Sequence, residues 1–282
     1  MLTNLVARLA DRENEAPVDE IAPHDLLFAP SELYHENSKL RPDEAALYRW
    51  IGYFNSSAHV RGIISRPAHG YRGYPTIDLP PLPDDDFART VVERRSSHHF
   101  ATTPLELSEL SRLLYLGSGI VAEQSEPDGT VWRLRAAPSG GAMYPIEPGC
   151  LALRVNGLEP GRYAYNPEDH DLTALAISDY TSELAAATYA DVAAAPPAAC
   201  IVLSAHFQRS KVKYGERGYR FALLEAGHIA QNILLAATSA GLAALPVGGF
   251  MDDRINALCH HDGLHTAVLY LIFVGNRETE QQ

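Results

Sequence analysis

The sequence predicts an α+β fold: a mixed, largely antiparallel sheet flanked by helices, with an N-terminal extension ahead of it. Three observations carry this expectation. Ala199–Ala205 (ACIVLSA) and Thr266–Val274 (TAVLYLIFV) are short apolar runs bounded by turn residues, the pattern of strands buried on both faces. A long stretch at about Arg217–Ala240 keeps apolar residues at helical spacing. Helices and strands do not alternate regularly along the chain, which disfavours a succession of βαβ units.

Taken in order, residues 1–42 are polar and proline-interrupted, an extended or partly helical arm. Asp43–Tyr53 (DEAALYRWIGY) reads as a short helix begun by Pro42 and acidic residues. From Asn55 to Asp86, HGYRGYP and LPPLPDDD forbid regular structure and mark a linker, in which Tyr71–Tyr74 is a turn or a ligand-contacting loop. Residues 1–84 are therefore expected to form an extension, peptide-binding or dimer-wrapping, and residues 85–282 the main domain. Asp84–Arg95 begins acidic and ends in arginines, as a helix dipole favours. Leu107–Leu116 is a second helix, stopped by Gly117 or Gly119. A polar loop follows, then an Arg-rich strand leading into Pro138-Ser139-Gly140-Gly141, a tight turn with minimal side chains. Strands are expected at Cys150–Val155, Gly161–Tyr165 and Leu172–Ile177. A helix is expected over Asp179–Ala194, and a short Asp-capped one over Asp252–Leu258.

With 282 residues the chain can bury a substantial core, and a formal charge of −12 argues against a protein that tracks nucleic-acid phosphates. No window reaches the apolar length of a membrane span and no basic, signal-like N-terminus is present, so a cytoplasmic protein is expected. The three cysteines are odd in number and far apart, with no CxxC. Neither His98-His99 nor His260-His261 has metal-ligand spacing, so no metal site is expected. No dinucleotide or Walker fingerprint occurs.

The chemistry-bearing stretches are few. Among 23 basic residues only Lys39, Lys211 and Lys213 are lysines. A desolvated Lys can give up its proton and Arg effectively cannot, so Lys213 beside Tyr214 hints at proton transfer; a strand end with two solvated amines is the plain alternative. Lys211 reads as an ordinary surface residue. Arg94-Arg95-Ser96-Ser97 offers guanidinium and hydroxyl donors at a helix end, suited to a phosphate or simply to the dipole. Pro138–Gly141 and Pro246-Val247-Gly248-Gly249 offer exposed backbone amides, suited to a flat polar ring or simply to turns. Glu225 and His228, i and i+3 on the long helix, read mainly as structural groups.

Together, RRSSH, PSGGAMYP, EAGH with Gln231-Asn232, and PVGGF resemble the nitroreductase superfamily over residues ~85–275. More narrowly they look like its SagB-type, microcin B17 oxidase-like branch, the FMN-dependent azoline dehydrogenases. KYGERGYR is similar to the segment that carries a Lys-Tyr catalytic pair in that branch. The resemblance implies that Arg94, Arg95, Ser96 and Arg277 hold the phosphate and ribityl chain of FMN, with His98 standing where many relatives carry Arg or Lys. It implies that Pro138, Ser139, Gly140 and Gly141 line one edge of the isoalloxazine, and that Pro246, Val247, Gly248 and Gly249 pass its N5 side. Lys213 and Tyr214 would remove the Cα proton of a thiazoline or oxazoline in a precursor peptide while a hydride leaves Cβ for the flavin, with O2 as reoxidant. A cyclodehydratase partner and a homodimer are implied too. The alternatives are an NAD(P)H-dependent nitro- or quinone reductase and a non-catalytic flavin-binding subunit.

Overall fold

The computed structural model describes residues 29–42, 45–66, 73–189 and 196–278. In chain order the helices are α1 (Pro30–Ser38), α2 (Ala45–Ser56), α3 (Ala58–Ile64), α4 (Asp86–Glu93), α5 (Leu107–Ser118), α6 (Thr181–Ala187), α7 (Phe207–Tyr214), α8 (Arg217–Ser239) and α9 (Asp252–Cys259). The strands are β1 (Leu105–Glu106), β2 (Ile120–Ser125), β3 (Val131–Arg135), β4 (Ile146–Ala152), β5 (Val155–Asn156), β6 (Gly161–Asn166), β7 (Asp171–Ile177), β8 (Ala199–His206), β9 (Ala243–Val247) and β10 (Thr266–Gly275). Six of them form one sheet in the order β7-β6-β4-β8-β10-β9, antiparallel at every pairing. A parallel β1–β5 pair and a β2–β3 hairpin stand apart from it.

The sheet is covered on both faces because its central strands are apolar over most of their length. In β8, Ala199, Ile201, Leu203 and Ala205 face the cluster containing α5 and α8, whereas Cys200 and Val202 face the cluster of α6 and α9. Helix α8 lays Ala222, Ala226, Ile229, Ala230, Ile233 and Ala237 on the first face; the run of alanines lets its backbone approach closely. The α+β expectation holds.

Several local expectations are corrected. The expected linker from Asn55 is helical at its start: α2 runs to Ser56 and α3 follows, capped by Ser57, whose Oγ accepts from Val60 N–H at 3.3 Å, because the Gly/Pro-rich motifs begin only after it. The polar loop after α5 is the β2–β3 hairpin, whose residues are mostly exposed on both sides and so lack an apolar alternation. Val155 lies in β5 rather than in β4. Lys211–Tyr214 does not trail from a strand as a turn: it is the end of α7, stopped by Gly215 at φ +54°, and α8 begins two residues later. Asp252 does not cap α9, whose N-cap is Met251; its carboxylate accepts from Leu40 N–H at 2.8 Å. Helix α6 stops at Ala187, and residues 190–195 of the expected longer helix lie outside the described residues, as do residues 1–28, 43–44, 67–72 (with Tyr71 and Arg72) and 279–282.

Helix α1 is stitched to the main body at both ends. At its start Ser31 N–H donates to Glu216 at 2.7 Å, and Lys211 Nζ lies 3.1 Å from both Glu32 and Glu216. At its end Lys39, nearly buried, pairs with Glu36 and Asp253. Between them His35 and Tyr34 pack on Tyr219, and His35 also packs on Phe207. Lys211 is thus no ordinary surface residue; only 11% of its side chain is exposed.

Lys211→Met would leave two carboxylates facing each other without their cation. We expect it to cost about 2 kcal/mol in urea unfolding, less than a fully buried pair because both glutamates keep some solvent. Lys211→Arg should recover most of the loss, and a change within ~0.5 kcal/mol would show that the clamp contributes nothing.

Candidate active site

The turn between β3 and β4 is the most constrained backbone in the chain. Gly141, Ala142 and Tyr144 all have positive φ (62°, 57° and 46°), a region that residues with a Cβ rarely enter. The turn persists because its surroundings fix it from several sides. Ser139 Oγ accepts from Tyr144 N–H at 2.9 Å, Tyr144 Oη accepts from Arg135 N–H at 2.9 Å, and the Met143 carbonyl accepts from Arg209 Nε at 3.3 Å. Just beyond it, Ile146 N–H donates to Glu225 Oε1 at 3.2 Å.

The ends of Lys213 and Tyr214 converge on this turn. A Cβ built on Gly141 would sit 2.7 Å from Lys213 Nζ and collide with Tyr214 Oη, so the close approach needs glycine as much as the positive φ does. Lys213 Nζ also lies 5.4 Å from the centre of the Tyr214 ring, which meets Phe221 edge-on at 4.9 Å. Phe221 in turn lies against Gly140. Pro138, Ser139, Gly140, Gly141, Lys213 and Tyr214, drawn from distant parts of the sequence, therefore form one cluster.

Glu225 lies behind that cluster, fully buried, with Oε2 lacking any partner among the described residues. Burial pushes its carboxyl up to about 7, against hydrogen bonding from Ser139 and the Ile146 N–H and, more weakly, the pull of Arg135 and Arg209. His228, one turn along, faces outward, and no ion pair joins the two. Sequence spacing identified Glu225 as a structural group but not its buried charge state, which depends on α8 meeting β4.

The other singled-out residues gather elsewhere. Ser97 N–H donates to the Ala244 carbonyl at 3.0 Å and Arg277 Nε to the Leu242 carbonyl at 3.1 Å, so both segments flank the start of the edge strand β9. Arg94, Arg95, Ser96 and His98 lie beside Ser97, and no described carboxylate pairs with Arg94, Arg95 or Arg277. Pro246, Val247, Gly248 and Gly249 lie at the other end of the same strand, which rises roughly 10 Å from Ala244 to Val247. A Cβ on Gly248 would meet nothing nearer than the Tyr270 ring at 3.7 Å.

The turn cluster and the residues around Ser97 and Arg277 are not brought together within the chain. The first sits at the start of α8, and Ala244 and Arg277 sit beyond its end; from Phe221 to Ser239 the helix runs roughly 27 Å. Three guanidinium groups without carboxylate partners, in a chain with 35 acidic residues, are suited to hold an anion at the β9 end. Among the described residues there is no His/Cys/Asp/Glu group fit for a metal and no helix long and apolar enough to cross a membrane.

A family model described as the nitroreductase family matches residues 91–276. Nitroreductase MJ1384 of Methanocaldococcus jannaschii is 33% identical over 182 residues, covering 64% of this chain and 88% of that one. The microcin B17-processing protein McbC of Escherichia coli is 30% identical over 199 residues, covering 66% of this chain and 72% of McbC. Among solved structures, a nitroreductase of Anabaena variabilis aligns over 86% of this chain and 45% of its own length, with 27% identity and a TM-score of 0.57. A chain of the E. coli microcin synthetase McbBCD complex with truncated pro-MccB17 aligns over 91% of this chain and all of its own, with a TM-score of 0.61 at 20% identity, and supports the fold.

Glu225→Gln should separate the buried carboxyl from its surroundings. A group whose folded pKa lies above its unfolded value stabilises the fold below about pH 4.5 and loses that contribution as pH rises through about 7. The variant should match the native protein at low pH and exceed it by roughly 3 kcal/mol above pH 8. Denaturant unfolding across pH measures the difference, and equal curves at every pH would remove the assignment.

Proposed function

The chain belongs to the nitroreductase family, an oxidoreductase family, and from that premise we propose that it is a SagB-type, FMN-dependent azoline dehydrogenase acting on a precursor peptide. The observation that carries the reading is the convergence of Lys213 and Tyr214 on the Gly141 turn. A nitro- or quinone reductase has no need of a paired base pressed against a strained turn, whereas aromatising an azoline requires a base for the Cα proton. The similarity to McbC, a protein named for microcin B17 processing, supports the same reading.

In this proposal Arg94, Arg95, Ser96, His98 and Arg277 hold the FMN phosphate and ribityl chain at the start of β9. Pro246–Gly249 present main-chain groups along the ring, which the side-chain-free space at Gly248 admits. Bound FMN would supply the hydride acceptor, N5, and return two electrons to O2. Lys213 or Tyr214 would take the Cα proton, with the other beside it at the Gly141 turn to favour its basic form. The separation of the two groups along α8 is met if Pro138–Gly141 and Lys213–Tyr214 of one copy complete the β9 half-site of a second, in a homodimer. Residues 85–282 are read as the FMN-binding domain and residues 1–84 as its extension, with a cyclodehydratase supplying the azoline peptide.

Two measurements test this. Lys213→Ala and Tyr214→Phe should keep bound flavin yet lose azole formation by about a hundredfold or more, whereas Arg94→Ala should lose the flavin. Mixing flavin-deficient Arg94→Ala with Lys213→Ala/Tyr214→Phe should restore about a quarter of native turnover, because random dimers contain one intact composite site in half the population. Unchanged azole formation in the double variant would remove the base assignment, and no recovery on mixing would remove the shared site. Flavin bleached by NADPH alone, and untouched by an azoline peptide, would favour the reductase.

A further inference from the structure

On the sheet face away from α8, strands β4, β6 and β8 and the end of α9 enclose a cleft of about 110 Å³ that shares no residue with the groups assigned above to flavin or to the proton. Its floor and one wall are apolar, from Val202, Ala164 and Leu175. One end is polar: His261 Nε2 meets Ser204 Oγ at 2.8 Å, and Glu147 lies 3.4 Å from His206 Nε2 and 2.7 Å from Arg209. Arg162 lines the cleft as well, reaching from β6 to donate Nη1 to the Cys259 carbonyl at the end of α9. Its Nε–H is buried with no partner among the described residues.

The charges facing this space do not cancel. The hydrogen bond from His206, helped by Arg209, holds the Glu147 carboxyl at about 2, so Glu147 and Arg209 form a neutral pair. Burial, with His206 and Arg162 nearby, lowers His261 to about 4, leaving it uncharged at neutral pH. The surplus is the Arg162 cation, which lines the cleft without a carboxylate partner among the described residues. A cleft of 110 Å³ holds the equivalent of about four waters at ~30 Å³ each, room for an acid of a few carbons. Its apolar wall favours an aliphatic tail, and the ionised Glu147 disfavours a dianion such as phosphate.

We propose that this cleft binds a small aliphatic monocarboxylate, its carboxylate on Arg162 and the Ser204–His261 pair and its chain against Leu175 and Val202. The probe is butyrate, titrated into the full-length protein by calorimetry and ligand-observed NMR. Saturable one-to-one binding is expected, with none for butyramide, the neutral analogue. Arg162→Gln should weaken butyrate by about tenfold or more. Because that substitution also removes a contact at the end of α9, a second variant is needed: Leu175→Trp, at a half-exposed wall, fills the cleft while keeping the Arg162 guanidinium. It should abolish binding and leave the unfolding curve unchanged. Absence of saturable butyrate binding, equal binding of butyramide, or binding retained in Leu175→Trp would overturn the proposal and leave a cleft that holds water only. None of these readouts involves flavin or turnover, so the outcome is independent of the function proposed above.

Discussion

The turn from Ser139 to Tyr144 constrains everything placed around it. Positive φ at Ala142 and Tyr144 costs of order 1–3 kcal/mol at each residue, and such a backbone lasts only where its surroundings leave no alternative. Here those surroundings are a ring of contacts from four elements: Ser139 within the turn, Arg135 from β3, Arg209 from α7 and Glu225 from α8. Because α7 and α8 both meet the turn, the corner between them must also be tight. Gly218 confirms it, since a Cβ there would lie 2.6 Å from the Ser210 carbonyl carbon. Lys213 and Tyr214 occupy the last turn of α7, so their approach to Gly141 follows from how that corner is anchored.

The scarcity of lysine acquires a physical account in this light. All three lysines lie in or against the α1–α7–α9 layer, and each does something different. Lys39 and Lys211 are cations set among carboxylates, and they fasten the two ends of α1. Lys213 has no ion pair among the described residues: its ammonium faces a tyrosine ring and a glycine turn. The anchored lysine two residues earlier fixes the helix turn from which the other projects. Helix α1, far away in sequence, thereby becomes part of the framework behind the proposed base.

What the sequence made legible was what short-range periodicity encodes. β8, β10 and α8 stood out because Ile201, Leu203, Leu271, Ile272, Ile229 and Ile233 repeat at the spacing of their elements and end up fully buried. The hairpin did not, because Val121 and Val131 remain exposed and its alternation separates nothing from solvent. Helix α7 was missed because its buried face is Phe207, Gln208 and Ser210, of which one is apolar. The site was legible as composition: glycine turns, paired arginines, a Lys-Tyr step. Its division into a β9 group and a turn group was not, since that depends on the length of α8 and on which edge of the sheet β9 occupies.

That edge explains why the division is tenable. An edge strand with open backbone groups invites another strand to pair with it, and β9 is protected against this in two ways. Pro246 removes one donor from the strand, and the segment through Ser97 covers it at Ala244. The exposed remainder is short and ends in Gly248-Gly249, where side chains cannot fill the adjacent space. An edge of this kind resists extension of the sheet, and the chain opens to solvent just past it at Gly248. Those properties suit a flat anionic ligand lying along the strand better than they suit a further strand, and they leave the ligand's outer face to be covered from elsewhere. In the function proposed above, the turn at Gly141 of a second copy, carrying the two proposed proton-transfer groups, would cover it.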